Sequence, residues 1–130
     1  MFNKIKKSSA FILLIIFLLG ILLPGCTKDK AVGNYEGMIP CADCEGIKAE
    51  LSVESDKTYT FSFTYLGTDS EPFVSIGEWE IDEEDRLVLL RSDGTVEQYL
   101  KIVSEEEVLM LDGEGNEITG TDLNFSLLRK

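Results

Sequence analysis

Tyr59, Phe61, Phe63 and Tyr65 alternate without a break with Thr58, Thr60, Ser62 and Thr64. Period two with one apolar face is the mark of a half-buried β-strand. A row of four rings either fills a core or, with Trp79, lines a ligand cavity, so Tyr59, Phe61, Phe63, Tyr65 and Trp79 are the cavity candidates. The same alternation recurs along the chain. Ile47, Ala49, Leu51 and Val53 share one face, and Phe73 to Ile81 forms a further strand in which Gly77 predicts a bulge. Arg86 to Arg91, Val96 to Val103 and Val108 to Leu111 follow, and Leu123, Phe125 and Leu127 pattern a last strand. Turn signals separate them: Glu54–Lys57, Gly67–Pro72, the acidic run Asp82–Asp85, an Asp-Gly pair at Asp93–Gly94, and Asp112–Asn116.

About eight strands at this spacing, with no helical period, predict an all-β fold. Short connections favour a sequential antiparallel meander, and such a meander removes its exposed edges by closing into a small up-and-down barrel. Ile47, Leu51, Tyr59, Phe61, Phe63, Trp79, Leu89 and Phe125 are the expected core.

Residues 1–25 read as a signal peptide. Lys4, Lys6 and Lys7 precede an apolar run from Ala10 to Leu23, which falls short of the roughly 20 residues of a spanning helix. Its end, Leu23-Pro24-Gly25-Cys26, resembles the lipobox of bacterial lipoproteins, which implies that Cys26 becomes the first residue and carries the lipid. Residues 26–33 are then a short tether and 34–130 one barrel domain. Thr27 rather than aspartate after the cysteine favours an outer membrane, facing the periplasm, if the source is Gram-negative. The expected location is the cell envelope, with the membrane engaged through Cys26.

Three of the 12 basic residues lie in the leader, so the rest of the chain sets 9 against 24 acidic ones, a net −15. Nucleic acid is excluded as a partner, because phosphate contacts need clustered Lys and Arg. The chain has no histidine, which removes the commonest metal ligand and the usual general base, and with them the hydrolase triads. No enzyme template fits.

Cys41 and Cys44 are the remaining cysteines. Pro40 stands before them and Gly46 after, so the pair sits in a tight loop between a strand ending near Ile39 and one starting at Ile47. Two thiols at this spacing form a disulfide, bind a soft metal, or exchange with another disulfide.

The stretch Tyr35-x-Gly37-x-x-Pro40-Cys41-Ala42-Asp43-Cys44-x-Gly46-Ile47 resembles the signature of the NlpE N-terminal domain family. So do Tyr59-x-Phe61-x-x-x-Tyr65-Leu66-Gly67, Gly77-x-Trp79, Leu111-Asp112 and Leu123-Asn124-Phe125. The resemblance implies a lipocalin-like barrel and an envelope lipoprotein linked to copper resistance or to envelope-stress sensing, with an unidentified signalling partner. Longer family members carry a second domain with no counterpart here.

Against that background the cysteine pair has three readings. An exported pair meets oxidising conditions, and a local disulfide closing four residues stabilises by only about 2 kcal/mol. Such a bond suits a redox or folding-state signal. Alternatively, Cys41 and Cys44 as thiolates, with Met38 as a thioether, hold Cu(I). A thiol–disulfide oxidoreductase is disfavoured, since no helix N-terminus activates the attacking thiol. From a different class comes a barrel that binds a small apolar ligand, with the cysteine loop at its mouth.

Overall fold

The structure, a computed structural model, describes residues 30–130; the expected signal peptide, Cys26 and the start of the expected tether lie outside the described residues. Eight strands follow in order: β1 (Gly33–Ile39), β2 (Gly46–Val53), β3 (Thr58–Leu66), β4 (Phe73–Ile81), β5 (Arg86–Leu90), β6 (Val96–Ser104), β7 (Glu107–Met110) and β8 (Ser126–Arg129). Each pairs antiparallel with the next, and β8 returns to β1, closing the barrel. The architecture is the up-and-down meander expected from the alternation.

The last strand is the exception. Leu123 to Phe125 precede β8, and Leu123 is 56% exposed. Local side-chain bonds bend the chain there: Ser126 N–H donates to Asn124 Oδ1 (2.9 Å) and Leu123 N–H to Thr121 Oγ1 (3.2 Å). These turns offer the backbone an alternative to the ladder.

Leu51, Tyr59, Phe61, Trp79 and Leu89 are buried as expected, joined by Tyr35, Leu87, Leu100, Val108 and Leu127. Ile47, Phe63 and Phe125 are only half-buried. Position along the barrel explains this. One end, the base, holds the incoming chain at Lys30–Val32 and the turns after β2, β4 and β6; the other, the rim, holds the cysteine loop and the connections after β3, β5 and β7. Trp79 closes the base, its Nε1–H donating to the Glu54 carbonyl (2.7 Å) beneath the Lys57 ammonium, 4.0 Å from its ring. Ile47 and Phe63 lie nearer the rim, where the aromatic face climbs out of the core.

Gly77 makes no bulge; β4 runs straight through it. A β-carbon there would overlap the Leu90 carbonyl oxygen and press on the Tyr59 ring. The missing side chain therefore lets Tyr59 lie across β4. The bulge falls instead in β6, at a register shift opposite Leu89 and Leu90.

Val88 points outward yet is buried, because the β7–β8 connection folds back over this face. Arg86 stacks on the Tyr99 ring (4.6 Å) and donates from Nη1 to the Gly115 carbonyl (3.0 Å), while Lys101 pairs with Glu117 (2.7 Å). At the base, Arg129 ties the segment entering β1 to the β6–β7 turn. Its Nη1 donates to Val32 O (2.8 Å), its Nη2 to Lys30 O (3.1 Å) and Tyr35 Oη (2.9 Å), and its Nε to Glu105 O.

Phe61→Ala is expected to lower unfolding free energy by about 3–5 kcal/mol in a denaturant titration, since a large ring leaves a cavity in a packed interior. Thr60→Ala, on the exposed face of the same strand, should change it by less than about 0.5 kcal/mol.

Candidate functional site

The cysteine loop is built by its flanks. Ile39 and Ile47 face each other at the ends of β1 and β2, and Glu45 N–H donates to the Leu66 carbonyl (3.3 Å), tying the loop to the end of β3. Gly46 takes a φ of +152°, which an L side chain rarely adopts, and a β-carbon there would stand 2.8 Å from Met38 Cε. These constraints turn the chain tightly enough to bring the Cys41 and Cys44 Cα atoms to 5.4 Å, and the two sulfurs are joined as a disulfide. Both residues are half-buried, Ala42 and Asp43 between them are exposed, and Cys44 Sγ lies 3.3 Å from the Gly46 carbonyl oxygen.

The bond decides what the loop can do in this state. Neither sulfur is a thiolate, so the donor set does not fit Cu(I), which requires both. Met38 is on the outer face of β1, 48% exposed, with its methyl against Gly46. Among the described residues no three His, Cys, Asp or Glu side chains group as a metal site. The cysteines are followed by β2, not by a helix whose N-terminus would stabilise a thiolate.

The cavity candidates are divided by height. Tyr59, Phe61 and Trp79 are packed in the core, Phe61 lying 4.4 Å from the half-buried Phe63 between ring centroids. Tyr65 stands at the rim, beside the disulfide loop.

One polar cluster escapes the alternation pattern. The β6 bulge turns Glu97 towards the interior, where its carboxylate accepts from Tyr59 Oη and from Ser75 Oγ (2.7 Å). Burial, and then the Glu97 carboxylate, push the Tyr59 hydroxyl up to about 12. Nothing in Val96-Glu97-Gln98-Tyr99-Leu100 signals this, since a strand alternation that turns Leu100 inward turns Glu97 outward.

Residues 35–121 match the NlpE N-terminal domain family. Lipoprotein NlpE of Escherichia coli K12 is 40% identical over 96 residues, covering 72% of this chain but only 39% of the relative, which is thus much longer. Among solved structures, a putative lipoprotein from Shewanella oneidensis is 37% identical with a TM-score of 0.65, covering 82% of this chain and 98% of that one. The Cpx pathway activator NlpE from E. coli is 38% identical with a TM-score of 0.59, covering 68% and 46%.

Two measurements check this geometry. Cys41→Ser/Cys44→Ser is expected to leave the barrel folded and to cost about 2 kcal/mol in chemical denaturation, because the closed loop is so short. For Tyr59, a folded-state value above the unfolded one means that the neutral hydroxyl is the form the fold favours. Its stabilisation is complete below pH about 10 and is lost as pH rises towards about 12. Tyr59→Phe should flatten that alkaline decline in a pH series of melting curves.

Proposed function

The chain belongs to the NlpE N-terminal domain family, and from that membership we propose that it is a lipid-anchored, non-enzymatic envelope protein that senses stress through its disulfide loop. The observation that carries this reading is the placement of the disulfide. The chain enters at the base, and Cys41 and Cys44 close their loop at the rim. Nine residues of β3 at about 3.3 Å each, on a tilted strand, separate the two ends by roughly 20 Å. With Cys26 acylated, the six residues before Gly33 reach at most about 20 Å. The base is therefore held near the membrane and the loop presented away from it. In an envelope with two membranes, Thr27 supports an outer-membrane anchor with the rim facing the periplasm.

An oxidised four-residue loop adds little to stability, so its reduction reports on redox or folding conditions without unfolding the barrel. That separation suits a sensor. The packing of Tyr59, Phe61 and Trp79 supports a solid interior over a barrel that holds a small apolar ligand. Cu(I) binding through Cys41, Cys44 and Met38 requires the pair to be reduced first. The partner that receives the signal is an envelope component.

Produced in E. coli lacking its own NlpE, the chain is expected to induce a reporter of the Cpx pathway, and Cys26→Ser to abolish that induction. Equal induction by the unlipidated protein overturns the anchor, and none by either overturns the signalling role. Protein isolated without reductant should be about 2 Da lighter than its reduced form. Isolation with both thiols free and about one Cu(I) bound would replace the sensor reading with the copper one.

A further inference from the structure

An open groove of about 370 Å³ runs between the disulfide loop and the β3–β4 connection. Cys41, Asp43 and Cys44 form one wall, Thr68 and Glu71 the other, and the Tyr65 ring, 39% exposed, lies with them. The disulfide and the ring give it an apolar lining. Its charge is all of one sign: segments 40–45 and 67–72 carry Asp43, Glu45, Asp69 and Glu71 and no Lys or Arg. None of these four carboxylates forms an ion pair among the described residues, whereas Glu36 and Glu50 on the barrel wall are matched by Lys48 and Lys130. Beyond Glu71 the chain continues into the exposed side chains of Phe73 and Val74.

We propose that this groove docks an extended peptide segment of another protein, placing a Lys or Arg side chain over Tyr65 between Asp43 and Glu71, with apolar neighbours against the disulfide and Phe73. Charge complementarity selects the cation, and an aromatic face adds to the attraction. An open groove suits a chain that passes through it, because small-molecule sites enclose most of their ligand. Only two carboxylates line it, from separate loops, too few for a hard divalent ion, which takes six or more oxygens. The inference is independent of the redox and signalling reading, since the groove exists in the disulfide form.

The test is fluorescence anisotropy of a short labelled peptide alternating lysine and valine, titrated with the full-length protein in micelles and corrected for empty micelles. The wild-type protein is expected to bind it and to ignore a glutamate–valine counterpart. Asp43→Asn/Glu71→Gln should weaken binding about tenfold, and Tyr65→Ala should weaken it as well. Glu83→Gln/Asp85→Asn removes the same charge at the base and should leave affinity unchanged. An equal loss in that pair shows diffuse attraction by an acidic protein and overturns the groove, as does comparable binding of the glutamate peptide. Loss of self-association in Tyr65→Ala, seen by sedimentation, would overturn it in favour of a second copy of the chain.

Discussion

One guanidinium reinforces the seam that closes the barrel. Without a β1–β8 seam both strands are open edges, each a template for pairing with another chain. The strand ladder alone is thin there, matching only Tyr35 with Arg129 and Glu36 with Leu128. Arg129 supplies the rest. It spans three carbonyls and the Tyr35 hydroxyl, and its guanidinium stacks 4.9 Å from the Tyr35 ring centre. Lys130 extends the clasp, its backbone N–H donating to Asn34 O (2.9 Å) and its ammonium meeting Glu36 and Glu50. The guanidinium's rigid fork of donors makes this possible where a single ammonium would satisfy fewer carbonyls.

The interior follows from that closure and from a gradient along it. At the base Tyr35 and Trp79 are buried and each hydroxyl or N–H finds a carbonyl, Tyr35 Oη donating to Ala31 O (2.8 Å). At mid-height Tyr59 reaches across Gly77 to a carboxylate that the β6 bulge delivers from the far wall. At the rim Phe63 and Tyr65 lose cover, and the disulfide loop takes over as the shaped surface. Buried rings are packed below and the disulfide lies in an open surface at the rim, so a change at the loop need not disturb those rings.

Much of this was legible in the residues. Unbroken alternation located β3, and Gly67–Pro72 and Asp82–Asp85 bracketed β4 to the residue. Pro40 and Gly46 framed the cysteine loop because proline fixes its own φ and cannot donate to a ladder, whereas glycine takes up backbone angles that other residues avoid. What stayed hidden depends on contacts between strands distant in sequence. The inward turn of Glu97 arises from a register shift against β5, which no pattern within β6 encodes. Val88 is buried on the wall to which the Arg86–Gly115 bond ties a connection distant in sequence. The late start of β8 reflects Asn124 and Thr121 capturing backbone N–H groups that the apolar period had assigned to a strand.

The clasp at the base also has a mechanical meaning. Arg129 grips the chain at Lys30 and Val32, just outside β1. Tension applied to the chain from its N-terminal side, as the proposed anchor would apply it, therefore meets these bonds before the first ladder bond of β1. Past them, the pull runs along β1, perpendicular to its hydrogen bonds with β2, so seven matched residues are sheared together instead of unzipping singly. If the proposed lipid anchor holds, a barrel gripped in this way would resist being drawn apart strand by strand by a pull on its N-terminal side.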